Sequence, residues 1–329
     1  MLKSLVREIF RSKRGLGASL GDWATQPYYD FDGLARQISA KAHYLGQNGF
    51  IDYPALVHIE TMAVCNAACV FCPYPGLERK GTKMPDALIE KIIDDLSAMP
   101  RNLPFQFAPY KVSDPFIEPR LFDIIGLACA KLPAAQVSLI TNGAALTERK
   151  IEQLKKVKAV AYLNVSLNFD NAEEYEEVMK LPFERTLQRL DALHKARAGG
   201  GLDFVIRMTR VSCDRSSDAA FLQWVRQRYP GFEAAILPRN DWIGEVVTEN
   251  ALTQVPDAPC HRWFDLSITA TGVVAMCCMD GEAKYPKGDA SRQNVLEIYN
   301  QPWLRALRRD LISRKRAGSP CDRCTYLSY

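Results

Sequence analysis

The sequence predicts an α/β fold on parallel strands, preceded by a helical extension and followed by a small cysteine-rich module. Three observations carry this. Between residues 54 and 238, short apolar runs rich in β-formers alternate with amphipathic helical stretches across short connections. That rhythm stops after Trp242. The cysteines, 10 in a chain of 329 residues, gather at the start of the alternation and near the chain's end.

Composition sets the outer bounds. Hydrophobic residues at 47% and charged residues at 24% are ordinary globular proportions. The formal net charge of +4 is too small for a nucleic-acid-binding surface, so no nucleic-acid partner is expected. No apolar run reaches the ~18 residues of a transmembrane segment. The opening MLKSLVREIFRSKRG breaks its apolar positions with charges, unlike a secretory signal, which makes the cytoplasm the default compartment. In a reducing compartment, clustered cysteines are ligands or catalysts rather than disulfides.

Taken in order, Leu2, Leu5, Val6, Ile9 and Phe10 share one helical face, with Lys3, Arg7 and Arg11 between them. Such a basic amphipathic helix docks on the protein's own body, on a membrane surface or on a partner. Residues 11–53 offer one further helical stretch, around Leu34–Leu45. Strands are then expected at 54–61, 105–112, 136–141, 161–169, 202–211 and 233–238. Helices are expected between them at 85–99, 120–132, 146–157, 183–196 and 219–229. Thr147 reads as an N-cap in a capping-box pattern, with Lys150 where Glu would serve better. This alternation requires parallel strands and right-handed crossovers, in an open sheet or a barrel; the pattern alone does not separate the two. Residues 265–278 read as two short strands about a Thr271-Gly272 turn, and 295–312 as helix interrupted near Pro302.

Cys65-x3-Cys69-x2-Cys72 follows the first strand. Thiolates at this spacing can wrap one loop around an iron–sulfur cube and leave one iron open to a cofactor or substrate. A zinc site would want a fourth Cys or His nearby, and Pro73-Tyr74-Pro75 supplies none. The second group, Cys260, Cys278, Cys321 and Cys324, offers a closed four-thiolate cage that suits zinc or iron–sulfur equally on spacing. Cys277 or Cys278 could be the ligand, with Cys278 preferred. Cys129 and Cys213 stand apart.

With Phe71 as its aromatic, the C-x3-C-x-aromatic-C motif past the first strand resembles that of the radical S-adenosylmethionine superfamily. The resemblance implies a partial (β/α)6 barrel whose 4Fe–4S cluster binds S-adenosylmethionine through its unique iron. One electron cleaves that cofactor to a 5′-deoxyadenosyl radical, which takes hydrogen from substrate. The stretch at 112–121 lies where the family often has Gly-Gly-Glu-Pro to hold the methionine amino group. Here it reads Ser113-Asp114-Pro115, a departure, with Asp114 the nearest chemical substitute. Thr141 and Asn142 would face the cofactor, with Gly143 permitting the turn. Ser166 and Asn168 would reach its ribose or carboxylate, and Arg207 would pair with the carboxylate. The run from Cys260 to Cys324 is similar to the SPASM or twitch extension, which binds auxiliary 4Fe–4S clusters; ligands suffice here for one.

On this likeness the chain divides into a helical extension (1–53), a partial barrel (54–245) and a SPASM/twitch module (246–329), with two 4Fe–4S clusters and S-adenosylmethionine as cofactors. The spacing is closest to single-auxiliary-cluster enzymes, including aminocyclitol dehydrogenases. The function expected is therefore a radical oxidoreductase or epimerase acting on an alcohol or amine carbon of a small sugar or cyclitol, the auxiliary cluster accepting an electron. A peptide-modifying maturase is the alternative, although no recognisable winged-helix peptide-binding domain precedes the barrel. A non-catalytic metal-binding scaffold is the alternative of another class. Cys277 is then either a packed residue or a thiol donating hydrogen to a substrate radical. The run Arg305, Arg308, Arg309, Arg314, Lys315 and Arg316 is a solvated face, an offset to cluster charge, or a lure for an acidic flavodoxin or ferredoxin. His58 is either a satisfied core histidine of the first strand or a residue facing the barrel interior, and Asn240, Trp242 and Glu245 are candidates for the substrate mouth.

Overall fold

A computed structural model of the chain describes residues 30–212, 214–247 and 252–327. The amphipathic segment at 2–10 and Cys213 lie outside the described residues. Helix α1 (Phe31–Gln47) opens where the Asp30 carboxylate accepts from Gly33 N, and it buries Leu34, Ile38, Ala42 and Leu45 along one face.

Six strands then follow, β1 (Leu56–Ile59), β2 (Phe105–Ala108), β3 (Ala135–Thr141), β4 (Val160–Ser166), β5 (Val205–Val211) and β6 (Glu233–Leu237). The crossovers hold α2 (Asp86–Leu96), α3 (Leu121–Lys131), α4 (Glu148–Lys156), α5 (Ala172–Met179), α6 (Phe183–Ala198) and α7 (Arg215–Arg228). Each strand pairs in parallel with the next. β6 pairs with β5 and does not return to β1, so the sheet is an open, partial barrel.

Alternation along the strands separates two environments. Leu163, Val165, Ile206 and Met208 turn into the main apolar core and are buried completely or nearly so. Burial of each such side chain contributes about 1.5–3 kcal/mol. Tyr162, Asn164, Arg207 and Thr209 occupy the opposite face, where the Asn164 amide donates to Thr209 Oγ1 at 3.0 Å. That inner face is polar, and it leads to the strand ends where the cysteine loop begins.

Two local expectations are corrected. Thr147 does stand at the N-cap of α4, but its side chain makes no capping bond; the Lys150 ammonium instead donates to Phe116 O and Ala145 O. The fourth crossover carries a second helix, α5, which the sequence reading omitted. It buries only Tyr175 and Met179, so its apolar periodicity is faint.

The C-terminal part contributes β7 (Asp265–Ile268), β8 (Val273–Ala275) and β9 (Gly288–Asp289), then α8 (Val295–Tyr299) and α9 (Pro302–Asp310). Gly272, at φ +88°, makes the β7–β8 turn, and Pro302 opens α9 at a position that needs no amide donor. β7 lies parallel to β1, from Leu56↔Asp265 to Ile59↔Ile268. The C-terminal hairpin therefore continues the barrel sheet across the expected domain boundary, giving one sheet of order β6-β5-β4-β3-β2-β1-β7-β8-β9. No helix among the described residues is long and apolar enough to cross a membrane.

Candidate functional site

The loop after β1 is closed at its base by a buried ion pair. Glu60 takes Arg79 Nε at 2.6 Å and Arg79 Nη2 at 2.9 Å, while also accepting from Val112 N and Ala270 N. Backbone bonds Ala63 N to Thr82 O, Gly81 N to Ala63 O and Met84 N to Thr61 O zip the two ends together. Further out, Ala68 N and Val70 N donate to Met179 O and Val178 O, pinning the loop to the end of α5. Cys65, Cys69 and Cys72 project from this clamped loop, all partly exposed. Burial raises Cys65 to about 12, helped by the charges of Asp114 and Cys72. Burial raises Cys72 to about 11, and burial with the neighbouring Cys72 and Cys65 pushes Cys69 higher still. Three such thiols fit a metal cluster, whose positive charge offsets the cost of forming adjacent thiolates.

Asp114 ties the next two strand ends to this loop. Its carboxylate accepts from Phe116 N at 2.9 Å, Thr141 Oγ1 at 2.8 Å and Asn142 N at 2.9 Å. The Asn142 amide in turn donates to Asn66 Oδ1 at 2.8 Å and approaches Cys65 Sγ at 3.7 Å. Gly143, at φ +88°, lets the chain turn there; a Cβ on it would meet Leu190 Cδ2 at 3.0 Å. Asp114, Thr141 and Asn142 are thus brought together at the cysteine loop, with Ser113 half-buried beside them.

Asn168 adopts φ 70° and is used internally at both ends of its amide. It accepts from Val211 N at 2.7 Å, donates to Ser166 Oγ at 3.0 Å, and lies 3.2 Å from Met179 Sδ. Met179 Sδ is itself 3.5 Å from Cys69 Sγ, so Asn168 and Met179 brace the loop, and half-buried Ser166 is the freer hydroxyl at this rim. Arg207 is not aimed at the strand ends. It sits low on β5, paired with Glu233 at 2.5 Å and stacked 5.2 Å over the Tyr162 ring.

The second thiol group lines a small cavity in the C-terminal part, and here the structure overturns the sequence preference. Cys260, Cys277, Cys321 and Cys324 share the cavity wall, whereas Cys278 points away. Cys278 Sγ instead clusters with His58 and Asp265, the three potential donor atoms lying within 4.8 Å of one another. Cys277 and Cys278 both lie in the bend that follows β8 (Val273–Ala275), where Asp280 N donates to Cys277 O, and that bend turns Met276, Cys277 and Met279 to the cavity. Cys277 is thus the fourth thiol on this wall, its pKa raised by burial and by the other four cysteines. Trp263 Nε1 donates to Cys321 Sγ at 3.4 Å, and Arg314 Nη1 reaches Cys324 O at 3.4 Å.

The basic run divides: Arg305, Arg309, Lys315 and Arg316 are exposed, as a solvated face would be, and two members are not. Arg314 and Arg308 are buried, the latter 3.7 Å over the Tyr299 ring and bonded to Ile51 O and Tyr299 O. Arg305 and Arg309 pair with Asp52 and Asp310. The segment after β6 links the two thiol sites. Trp242 Nε1 donates to Phe71 O at 3.0 Å, next to Cys72, while the adjacent Ile243 lines the second cavity. Trp242, Ile243 and Gly244 all have positive φ, at 52°, 58° and 82°. Two consecutive non-glycine residues in that region are strained, a feature typical of functional sites. Glu245 follows, accepting from Glu282 N at 3.1 Å. Glu60, Arg79, Trp263 and Met179 escaped the sequence reading because no spacing rule marks a clamp or a brace.

A partial α/β barrel with three thiols on the loop after its first strand and four more lining a cavity beside it fits the radical S-adenosylmethionine class expected from the sequence. Family models match residues 59–209 as the radical SAM superfamily and residues 260–325 as an iron–sulfur cluster-binding (SPASM) domain, so the chain carries both domains. These domains imply 4Fe–4S clusters and S-adenosylmethionine as cofactors. The chain is 20% identical over 282 residues to the S-adenosyl-L-methionine-dependent 2-deoxy-scyllo-inosamine dehydrogenase of Niallia circulans, covering 83% of this chain and 94% of that one. Its fold is similar to that of BtrN in complex with AdoMet and 2-DOIA (TM-score 0.55, 15% identity, covering 83% of this chain and 94% of that one). It is also similar to Streptococcus suis SuiB bound to precursor peptide SuiA (TM-score 0.61, 15% identity, covering 97% of this chain and 81% of that one).

Proposed function

We propose that this protein is a radical SAM dehydrogenase that oxidises an alcohol or amine carbon of a sugar or cyclitol, one electron leaving through the C-terminal cluster. The observation that carries the reading is the contact of consecutive residues, Trp242 and Ile243, with the two thiol sites. A substrate radical formed at the first site then lies near an electron acceptor at the second. Similarity to an aminocyclitol dehydrogenase over most of both chains supports the substrate class.

Cys65, Cys69 and Cys72 would hold the cluster that binds S-adenosylmethionine, and Cys260, Cys277, Cys321 and Cys324 the closed one. When bound, the first cluster and its cofactor supply a 5′-deoxyadenosyl radical able to take a hydrogen atom from carbon. The chain's own residues orient and enclose. Asp114 locks the strand ends that form the cofactor rim, Ser113 and Ser166 offer hydroxyls there, and the Trp242 indole bonds to Phe71 O. Tyr162, Asn164 and Thr209 give the inner face neutral hydrogen-bonding groups suited to a polyhydroxylated ring. The net charge of +4 suits an acidic flavodoxin or ferredoxin as the electron source.

The test is anaerobic turnover of the reconstituted enzyme with carbon-deuterated aminocyclitols and sugars, alongside deuterated peptides. Deuterium in 5′-deoxyadenosine together with a ketone or imine product from a cyclitol or sugar supports the proposal. Transfer from peptide alone would replace it with the maturase reading.

A further inference from the structure

The geometry points to Arg314, with Trp263, as the residues that raise the reduction potential of the C-terminal cluster and so make it an electron acceptor. This rests on the reading that Cys260, Cys277, Cys321 and Cys324 hold that cluster. Arg314 is 1% exposed and lines the same cavity as the four thiols. Its Nη1 donates to Tyr326 O at 2.7 Å, reaches Cys324 O at 3.4 Å, and stands 3.9 Å from Cys324 Sγ. Its Nε and Nη2 have no hydrogen-bond partner among the described residues, and no carboxylate among them lies in ion-pair range. A guanidinium buried without an anion is costly, because a desolvated charge needs a counter-charge and its N–H groups need acceptors. A cluster held by four thiolates is a net anion whose sulfurs accept hydrogen bonds, and it would supply both.

Trp263 adds a second donor of a different kind. The indole is 3% exposed, it can only donate, and its N–H is directed at Cys321 Sγ at 3.4 Å. Arg262 also lines the cavity, but it is engaged by Asp265 at 2.9 Å and by Tyr326 at 2.7 Å. Arg314 is therefore the cavity-lining cation whose charge is left for the cage, with buried Lys287 a further positive charge near Cys277 and Cys321. Reduction adds one negative charge to the cluster. A neighbouring positive charge and N–H donors to sulfur stabilise the reduced form more than the oxidised one, and the potential rises. Arg314 and Trp263 touch no reacting atom in this account; they are positioning residues that act through the cluster.

The test is potentiometry on full-length protein in which Cys65, Cys69 and Cys72 are all replaced by Ala, so that the C-terminal cluster is read alone by EPR. Arg314→Met should shift the oxidised-to-reduced balance at least tenfold toward oxidised, which is about 59 mV lower for one electron. Arg314→Lys should recover part of that shift. Trp263→Phe keeps the ring, removes only the N–H, and should lower the midpoint by less; it decides the matter if Arg314→Met fails to load iron. Unmoved midpoints in fully loaded variants overturn this proposal alone. Lack of a cluster in the parent protein overturns the four-thiol reading beneath it.

Discussion

Removing the Glu60 carboxylate should loosen the cysteine loop and the join between barrel and C-terminal hairpin together. Glu60 is fully buried, and its two oxygens accept from Arg79 Nε and Nη2, Val112 N and Ala270 N. In Glu60→Ala the Arg79 guanidinium, also buried, keeps only Glu282 at 3.6 Å. Breaking a buried pair from one side costs about 3–5 kcal/mol. The two abandoned amides would cost about 1–3 kcal/mol each in isolation, though neighbouring losses do not add fully. Glu60→Ala should therefore lose at least 3–5 kcal/mol in anaerobic urea unfolding of the apoprotein, on the scale of breaking such a pair. It should also reconstitute with less iron at the first site. A loss below about 1 kcal/mol, the range of an exposed pair, with normal iron loading would refute the clamp. The pH dependence has a definite sign. Burial raises the Glu60 carboxyl, but bonding to Arg79 and its charge outweigh this and hold it below 4.5. Its stabilisation is thus complete above 4.5 and fades as pH falls through the lower folded value, and Glu60→Gln should flatten that acid limb.

Other outcomes follow from the same geometry. Cys277→Ala should remove the C-terminal cluster, dropping iron from about eight to about four per chain, while Cys278→Ala keeps both clusters; iron and sulfide analysis decides. Asp114→Ala orphans three buried donors and should cost at least about 1–3 kcal/mol. It should also weaken S-adenosylmethionine binding as read by equilibrium dialysis. Gly143→Ala forces a Cβ against Leu190 at positive φ and should cost roughly 1–3 kcal/mol in the same unfolding assay.

Much of this was written locally in the sequence. The strands and crossover helices from residue 54 to 238 follow from period-2 and period-3.6 patterns, each set by which face a residue must bury. The Thr271-Gly272 turn and the helix break at Pro302 were readable because those residues restrict or free the backbone by themselves. Helix α5 was missed because AEEYEEVM buries too little to print a period. The pairing of β7 with β1 was invisible, since a parallel partner some two hundred residues away leaves no local trace. Cys277 and Cys278 could not be separated because they lie in an irregular bend after β8, where no period marks which side a residue faces. Arg207 sits in the predicted strand, but its height along that strand, opposite Glu233, is a property of the sheet rather than of the segment.

The most direct test of the whole account is the cleavage of S-adenosylmethionine by reduced, anaerobically reconstituted protein, compared with the variant lacking the Cys65, Cys69 and Cys72 thiols. The parent should bind about eight irons and release 5′-deoxyadenosine, whereas the variant should keep about four irons and release none. Equal release from both, or a parent that holds zinc instead of iron, would contradict it.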